Sequence, residues 1–347
     1  MPAASRATRS VGPRQAVSVT SLGFGGGALG GMFTVVSAEE ASEAVRFAYD
    51  SGIRYFDTAP LYGHGLSESR VGAGLAGLDR STYVLSTKVG VRIEPRQGDA
   101  DATELRYADP FLLDGQYDFS YDGVLRSLEG SFERLGVSYV DIDFVHDPDQ
   151  GESLLPTSQR TGVDHFAATM DGAYRALERL RDEGTVKAIG VGMNGTEMLT
   201  RFARHGAFDI FLLAGRYTLL EQEGLSDLLP LCREKGISLV IGGVFNSGIL
   251  AAGAGSKATF NYGSAPEDVV DRVLALEGAC EAHGVPLAAA ALRFPLGDPA
   301  VSAVIPGMRT RDEVAQNLSL FTADIPASLW SELRERNLID AEALLPG

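Results

Sequence analysis

Apolar residues are distributed along the chain in two alternating rhythms. Short, nearly continuous apolar runs cover residues 19–25, 53–57, 83–87, 140–146, 186–192, 209–213, 238–242 and 302–305. Such runs read as strands buried on both faces, the pattern of a parallel sheet. Between them, apolar positions recur every three or four residues over 38–51, 68–77, 121–135, 170–183, 196–204, 225–235, 266–283 and 311–320, which predicts amphipathic helices. Ser37, followed by Glu39 and Glu40, gives the first helix an N-cap and acids in its first turn. Eight strands each followed by a helix predict an α/β fold, a closed (β/α)8 TIM barrel with long loops at its C-terminal face and a C-terminal helix.

A doubly wound open sheet is the competing topology. It binds a dinucleotide on a glycine-rich turn that opens a helix directly after the first strand. Gly23-Phe24-Gly25-Gly26-Gly27 has the glycines, but the next helix starts only after Thr34-Val35-Val36-Ser37. These glycines therefore read as a tight barrel mouth. The loops at 89–120 and 147–169 are longer than a barrel requires and follow the third and fourth strands, on the face where barrel active sites are built. Residues 1–15 hold Arg6, Arg9 and Arg14, no acid and no apolar segment, and are expected as a flexible tail. Residues 16–347 are expected as a single barrel domain.

Composition narrows the functions available. With 46 acidic against 30 basic residues the net charge is −16, a surface that repels nucleic-acid backbones and anionic lipid. No apolar run approaches the ~20 residues of a membrane span, so the expected setting is cytoplasmic and the expected partner a small molecule. Cys232 and Cys280 are the only cysteines, too few for a disulfide framework or a four-thiolate metal site. Both are read as small buried hydrophobes, and the lone Trp330 as a packing anchor for the C-terminal helix. Asp141, Asp143, Asp147 and Asp149 invite a metal reading. However, strand alternation puts Asp141 and Asp143 on the face opposite His146, so no metal is expected and a solvated or helix-pairing role is assigned to them.

The chemistry is concentrated at strand ends. Asp57 closes one apolar run and Tyr62 follows it, Lys88 closes the next, and His146 the one after. Neighbouring strands lie ~5 Å apart, so these side chains can converge. A tyrosine hydroxyl, with an ordinary pKa of about 10, is a poor base at neutral pH. A nearby ammonium favours the tyrosinate, and a carboxylate neutralises the buried ammonium. A histidine opposite can orient a substrate oxygen. Each residue alone has a plainer structural explanation; together on consecutive strand ends they make a switchable proton donor and acceptor beside a carbinol or carbonyl.

The segments Phe56-Asp57-Thr58-Ala59-Pro60-Leu61-Tyr62-Gly63, Leu85-Ser86-Thr87-Lys88 and Asp143-Phe144-Val145-His146 resemble the catalytic signatures of the aldo-keto reductase superfamily. Ile189-Gly190-Val191-Gly192-Met193-Asn194 and Val304-Ile305-Pro306-Gly307-Met308-Arg309 are similar to its cofactor segments, and the likeness spans residues 19–320. Tyr62-Gly63-His64-Gly65-Leu66-Ser67-Glu68, Ala214-Gly215-Arg216-Tyr217-Thr218-Leu219-Leu220 and Phe245-Asn246-Ser247-Gly248-Ile249-Leu250 resemble the branch that oxidises D-threo-aldoses, L-fucose and pyridoxal. The resemblance implies Tyr62 as general acid/base, Lys88 as its activating partner, Asp57 as counter-ion and His146 as substrate-orienting residue. It implies a nicotinamide cofactor, with Asn194 and Gly192 at the carboxamide and Asn246, Ser247, Gly248 and Leu250 around the pyrophosphate. Gly307, Arg309, Gln316 and Asn317 would face the adenosine, and Gly25, Gly26 and Asp57 join the cofactor-facing set.

Three features depart from the broader family pattern. Ile241-Gly242-Gly243-Val244 lacks the aromatic ring that stacks on nicotinamide in many members, and Ala214 replaces a glutamine. Gly307 and Glu313 stand where NADP-preferring members offer a cation, whereas Arg309 and Arg311 favour a phosphate. A carboxylate repels a 2′-phosphate and accepts from a ribose hydroxyl, so NAD is the expected cofactor and NADP the alternative. The implied function is oxidation of an aldose hemiacetal at C1 to a lactone. Pyridoxal 4-oxidation, NADPH-dependent aldehyde or ketone reduction, a cofactor-binding regulatory subunit and a metal-dependent barrel hydrolase are the alternatives. Specificity is expected in residues 32–33 and the two long loops, and His64 reads equally as pocket or turn.

Overall fold

A computed structural model describes residues 7–31, 34–95, 113–154, 157–255 and 258–347. Its parallel strands are β1 (Phe24–Gly25), β2 (Tyr55–Asp57), β3 (Val84–Val89), β4 (Ile142–His146), β5 (Ala188–Met193), β6 (Ile210–Ala214), β7 (Ser238–Gly242) and β8 (Val301–Ile305). They pair in chain order, and bridges from Leu22 to Val304 and Gly25 to Gly307 close the ring. The outer layer comprises α1 (Ala38–Asp50), α2 (Leu66–Leu75), α3 (Tyr121–Leu135), α4 (Tyr174–Asp182), α5 (Thr196–His205), α6 (Leu228–Lys235), α7 (Glu267–Ala282), α8 (Leu287–Arg293), α9 (Arg311–Phe321) and α10 (Ala327–Glu335). Ser37 and Glu40 form a reciprocal capping box at the start of α1. The expected TIM barrel is what the chain forms.

The barrel has two apolar layers because each strand alternates its side chains. Ile142, Phe144, Leu212 and Val240 fill the bore, while Phe56, Leu85, Val145 and Ile189 pack outward beneath the helices. Cys232 and Cys280 are buried in the outer layer, and Trp330 anchors α10 against Phe294 with ring centroids 6.4 Å apart.

Four expectations need correction or extension. The apolar run 19–25 is divided: Val17–Thr20 pairs antiparallel with Thr8–Val11, and only Phe24–Gly25 joins the barrel. This hairpin places Val11, Val17 and Val19 with the bore residues and seals the N-terminal end. Burial of those valines holds residues that read as a flexible tail up to 15; residues 1–6 lie outside the described residues. In the long loop expected after β3, Val91–Pro95 pairs with Leu113–Tyr117 as an antiparallel ribbon. Finally, Asp141 and Asp143 are buried rather than solvated. Asp141 accepts from Arg80, Lys187 and the Leu85 amide. Burial pushes the Asp143 carboxyl far above the usual range, with Glu68 adding repulsion. Among the described residues no His, Cys, Asp and Glu side chains cluster as a metal site, and no helix is long and apolar enough to cross a membrane.

Candidate active site

The ends of β2, β3 and β4 bring the predicted tetrad together. In register, Asp57 lies beside Ser86 and Lys88 beside Phe144, so Asp57, Lys88 and His146 all face the bore. Lys88 Nζ donates to Asp57 Oδ2 and to the Thr58 carbonyl, each at 2.8 Å. Burial pushes the Asp57 carboxyl upward, and the Lys88 ammonium and the Ser86 hydroxyl pull it back.

Tyr62 stands over this pair on a tightly wound loop. The Tyr62 amide donates to the Ala59 carbonyl, Gly65 to Pro60, and Ser67 to Tyr62. Gly63 has φ +63°, and a Cβ there would come within 2.4 Å of the Gly30 carbonyl, so only glycine fits. The Lys88 ammonium lies 4.6 Å from the centroid of the Tyr62 ring. His146 meets the same ring edge-on, with centroids 5.5 Å apart and planes at 88°, and its Nε2 lies 3.8 Å from Asp147. The phenol is thus bracketed by an ammonium and an imidazole.

From Tyr62 and Asp57 a cleft of ≈ 490 Å³ runs across the barrel mouth to Arg309, Gln316 and Asn317. Gly25, Asn194, Asn246, Ser247, Gly248 and Gly307 also line it. Gly26, Gly192 and Leu250 do not. The Gly26 carbonyl accepts from Ser67 Oγ at 2.7 Å, and a Cβ on Gly26 would lie 2.7 Å from the Asp57 carbonyl. Gly192 sits under the Lys88 stem, 3.4 Å from a would-be Cβ, and Leu250 is in the apolar core. Asn246 faces the cleft, but its amide spans Thr218 and the Gly215 carbonyl, so its side chain braces the loop rather than reaching outward.

The sequence reading missed Gly27, Gly215, Gly243, Phe245, Asn261 and Tyr262, all of which line the cleft. A Cβ on Gly27 would rest 3.6 Å from the Tyr62 ring, so the last glycine of the barrel mouth keeps that space open. Asn261 and Tyr262 arrive on a small hairpin, Thr259–Phe260 with Gly263–Ser264, which carries no periodic signal. Met32 and Phe33 lie outside the described residues. His64 adopts φ +52° near the ribbon after β3, where a Cβ on Gly115 would lie 3.8 Å from its ring.

At the far end of the cleft, Glu313 holds Arg309. The Arg309 amide donates to Glu313 Oε2 at 2.7 Å and Nη2 to Oε1 at 2.6 Å, while Nη1 reaches Thr34 Oγ1 at 3.2 Å.

Comparison with known proteins agrees with this geometry. The chain matches the Aldo/keto reductase family over residues 21–337. It is 38% identical over 327 residues to D-threo-aldose 1-dehydrogenase from a Pseudomonas species, covering 93% of this chain and 95% of that protein. It is 38% identical over 334 residues to pyridoxal 4-dehydrogenase from Microbacterium luteolum, covering 94% and 96%. Its fold superposes on the holo form of an aldo-keto reductase from Bacillus halodurans with a TM-score of 0.70 at 22% identity, over 97% of each chain. With a closed barrel, a buried ammonium–carboxylate pair beneath a phenol, and a family match across most of its length, the chain belongs to the aldo/keto reductase family of oxidoreductases.

Proposed function

We propose that this protein is an NAD-dependent dehydrogenase that oxidises the C1 hemiacetal of an aldose, of the L-fucose or D-threo-aldose type, to a lactone. The observation that carries this reading is the 38% identity to an aldose 1-dehydrogenase along 95% of that enzyme, combined with Tyr62 seated above Lys88 at the head of the cleft.

The residues present fit a dinucleotide. Phe245 is near the helical region, and Asn246, Ser247 and Gly248 follow with φ of 45°, 61° and 104°; the Asn246 and Gly248 amides donate to the Gly243 and Phe245 carbonyls, a tight, internally braced turn along the cleft wall where a pyrophosphate would lie. Glycines at 27, 215 and 243 leave room that side chains would fill, whereas a Cβ on Gly25 would meet the Ile305 carbonyl at 2.6 Å. A bound nicotinamide supplies the acceptor for the hydride that leaves C1. Tyr62, as phenolate, takes the proton of the C1 hydroxyl while the carbon–oxygen double bond forms. Lys88 stabilises that phenolate, and Asp57 and the Thr58 carbonyl keep the ammonium in place. His146 holds the substrate oxygen against Tyr62. The ring oxygen of a hemiacetal supports the developing positive charge at C1, which makes such a carbon a good hydride donor.

Arg309 and Glu313 favour NAD. The only guanidinium lining the cleft among the described residues is already held by a carboxylate, which would oppose a 2′-phosphate and accept from a free ribose hydroxyl. Pyridoxal is the second reading, favoured by the 38% identity to pyridoxal 4-dehydrogenase and by pyridoxal's own internal hemiacetal. NADH formation at 340 nm with L-fucose, L-galactose, D-arabinose, L-xylose and pyridoxal tests the assignment. An aldose is expected to give the highest kcat/KM with NAD. Turnover only with pyridoxal selects the second reading, and turnover only as an NADPH-dependent reductase rejects both.

A further inference from the structure

Two hydroxyls in the bore extend the ion pair beneath Tyr62. Ser86 precedes Lys88 by two positions on β3 and Tyr55 precedes Asp57 by two on β2, so strand alternation puts all four inside the barrel. Ser86 Oγ lies 2.7 Å from Asp57 Oδ1 and 3.1 Å from the Tyr55 hydroxyl. A serine has one proton and a carboxylate only accepts. Ser86 Oγ therefore gives its proton to Asp57 Oδ1, the nearer acceptor, with the Tyr55 hydroxyl packed on its other side and Lys88 donating to the second Asp57 oxygen. Both hydroxyl residues are fully buried, and neither lines the cleft. The Tyr55 ring is enclosed by bore residues such as Ile142 and Phe144.

We propose that Ser86 and Tyr55 are positioning residues that hold Asp57 ionised and fixed, and through Lys88 set the pH at which Tyr62 becomes a phenolate. The proposal rests on reading Tyr62 as the proton acceptor. Asp57 uses one oxygen for Lys88 and the other for Ser86. Lys88 gives two of its three N–H bonds to Asp57 and the Thr58 carbonyl, leaving one N–H on the ammonium that lies under Tyr62. Among buried groups, each donor to a carboxylate supports its charged form. Without Ser86, one of two things follows. Either the Asp57 charge is less offset and opposes phenolate formation more strongly, or the salt bridge gives way to its neutral form and Tyr62 loses the cation. Both outcomes raise the pH at which Tyr62 ionises.

Other charged groups surround the same site. His146 on β4 faces Tyr62, with Asp147 beyond it. Behind the strands lie Asp143 on β4 and Glu68 on α2, and Glu68 accepts from Thr87 and Arg134 at 2.6 Å each. None is bonded to Ser86, and all remain when Ser86 is changed.

The test titrates Tyr62 directly, as the ultraviolet tyrosinate difference between each protein and its Tyr62→Phe counterpart, without substrate. In parallel, kcat and KM for NAD reduction with L-fucose are followed across pH. Ser86→Ala is expected to move the absorbance midpoint and the acid limb of kcat upward by about one pH unit, with KM for NAD changed less than roughly twofold. Ser86→Thr restores the original midpoint. Tyr55→Phe, which removes the hydroxyl beside Ser86 at nearly constant volume, shifts it in the same direction by less and serves if Ser86→Ala does not fold. An unmoved midpoint in both Ser86→Ala and Tyr55→Phe, or a loss of kcat uniform across pH, overturns the proposal. A shifted midpoint with no NADH formed from any aldose rejects the dehydrogenase reading alone, whereas no titration difference at Tyr62 rejects both.

Discussion

Individual side chains in this barrel are governed by how few partners a buried charge has. Asp143 has neither carboxyl oxygen hydrogen-bonded by a side chain, and burial together with Glu68 raises its carboxyl well above the usual range. A carboxyl raised in the folded state keeps its proton while the unfolded chain releases one, so stability falls as pH rises above the unfolded value of about 4. Asp143→Asn is therefore expected to melt higher than the wild type at pH 8, with the advantage shrinking at pH 5; a pH-independent difference in thermal midpoint would contradict this. Glu313 presents the opposite case, a carboxylate whose bonds to Arg309 occupy a cation. Glu313→Gln should release Arg309 toward a 2′-phosphate and improve kcat/KM for NADP relative to NAD by roughly tenfold, about 1.4 kcal/mol. Steady-state assays with both dinucleotides check it.

Whole elements are constrained by close approach of backbones. Gly190 on β5 pairs with Ile210 on β6, and a Cβ at Gly190 would lie 1.8 Å from the Ile210 carbonyl oxygen and 2.9 Å from the Phe144 ring. Neither a ladder carbonyl nor a packed bore ring can retreat cheaply. Gly190→Ala is expected to cost about 2 kcal/mol or more, visible as a lower thermal midpoint and reduced soluble yield. At Gly192, two residues on in the same strand, a Cβ would make ordinary contacts with the Lys88 stem at 3.4 Å and the Leu212 Cβ at 3.5 Å. An alanine there should leave the fold intact and disturb the ammonium instead.

The molecule as a whole is a barrel plugged from below and open above. The hairpin from Thr8 to Thr20 buries Val11, Val17 and Val19 against the bore, while Arg9 donates to the Val301 and Leu296 carbonyls and Arg14 pairs with Asp209 at 2.9 Å. Each fully buried valine contributes roughly 1.5–3 kcal/mol. A chain lacking residues 1–11 is expected to lose several degrees of thermal stability and to bind a hydrophobic dye at its exposed barrel floor. Unchanged melting would show that the hairpin is not part of the barrel's cooperative unit.

Much of this was legible in the chain. Eight apolar runs and intervening helical periods determined the barrel, because burial on both faces leaves a continuous apolar signature. The placement of Asp57, Lys88 and His146 at the ends of three neighbouring runs determined their convergence, since parallel strands put their ends side by side. Other features depended on contacts distant in sequence. Nothing local distinguishes Val17–Thr20 from a barrel strand until its antiparallel partner is present. The alanine-rich α8 has too little polar contrast to show a period. Asp143 looks like a solvated acid until helices cover it. The bond between Ser86 and Tyr55, 31 residues apart, exists only because folding buries both hydroxyls where water would otherwise have satisfied them.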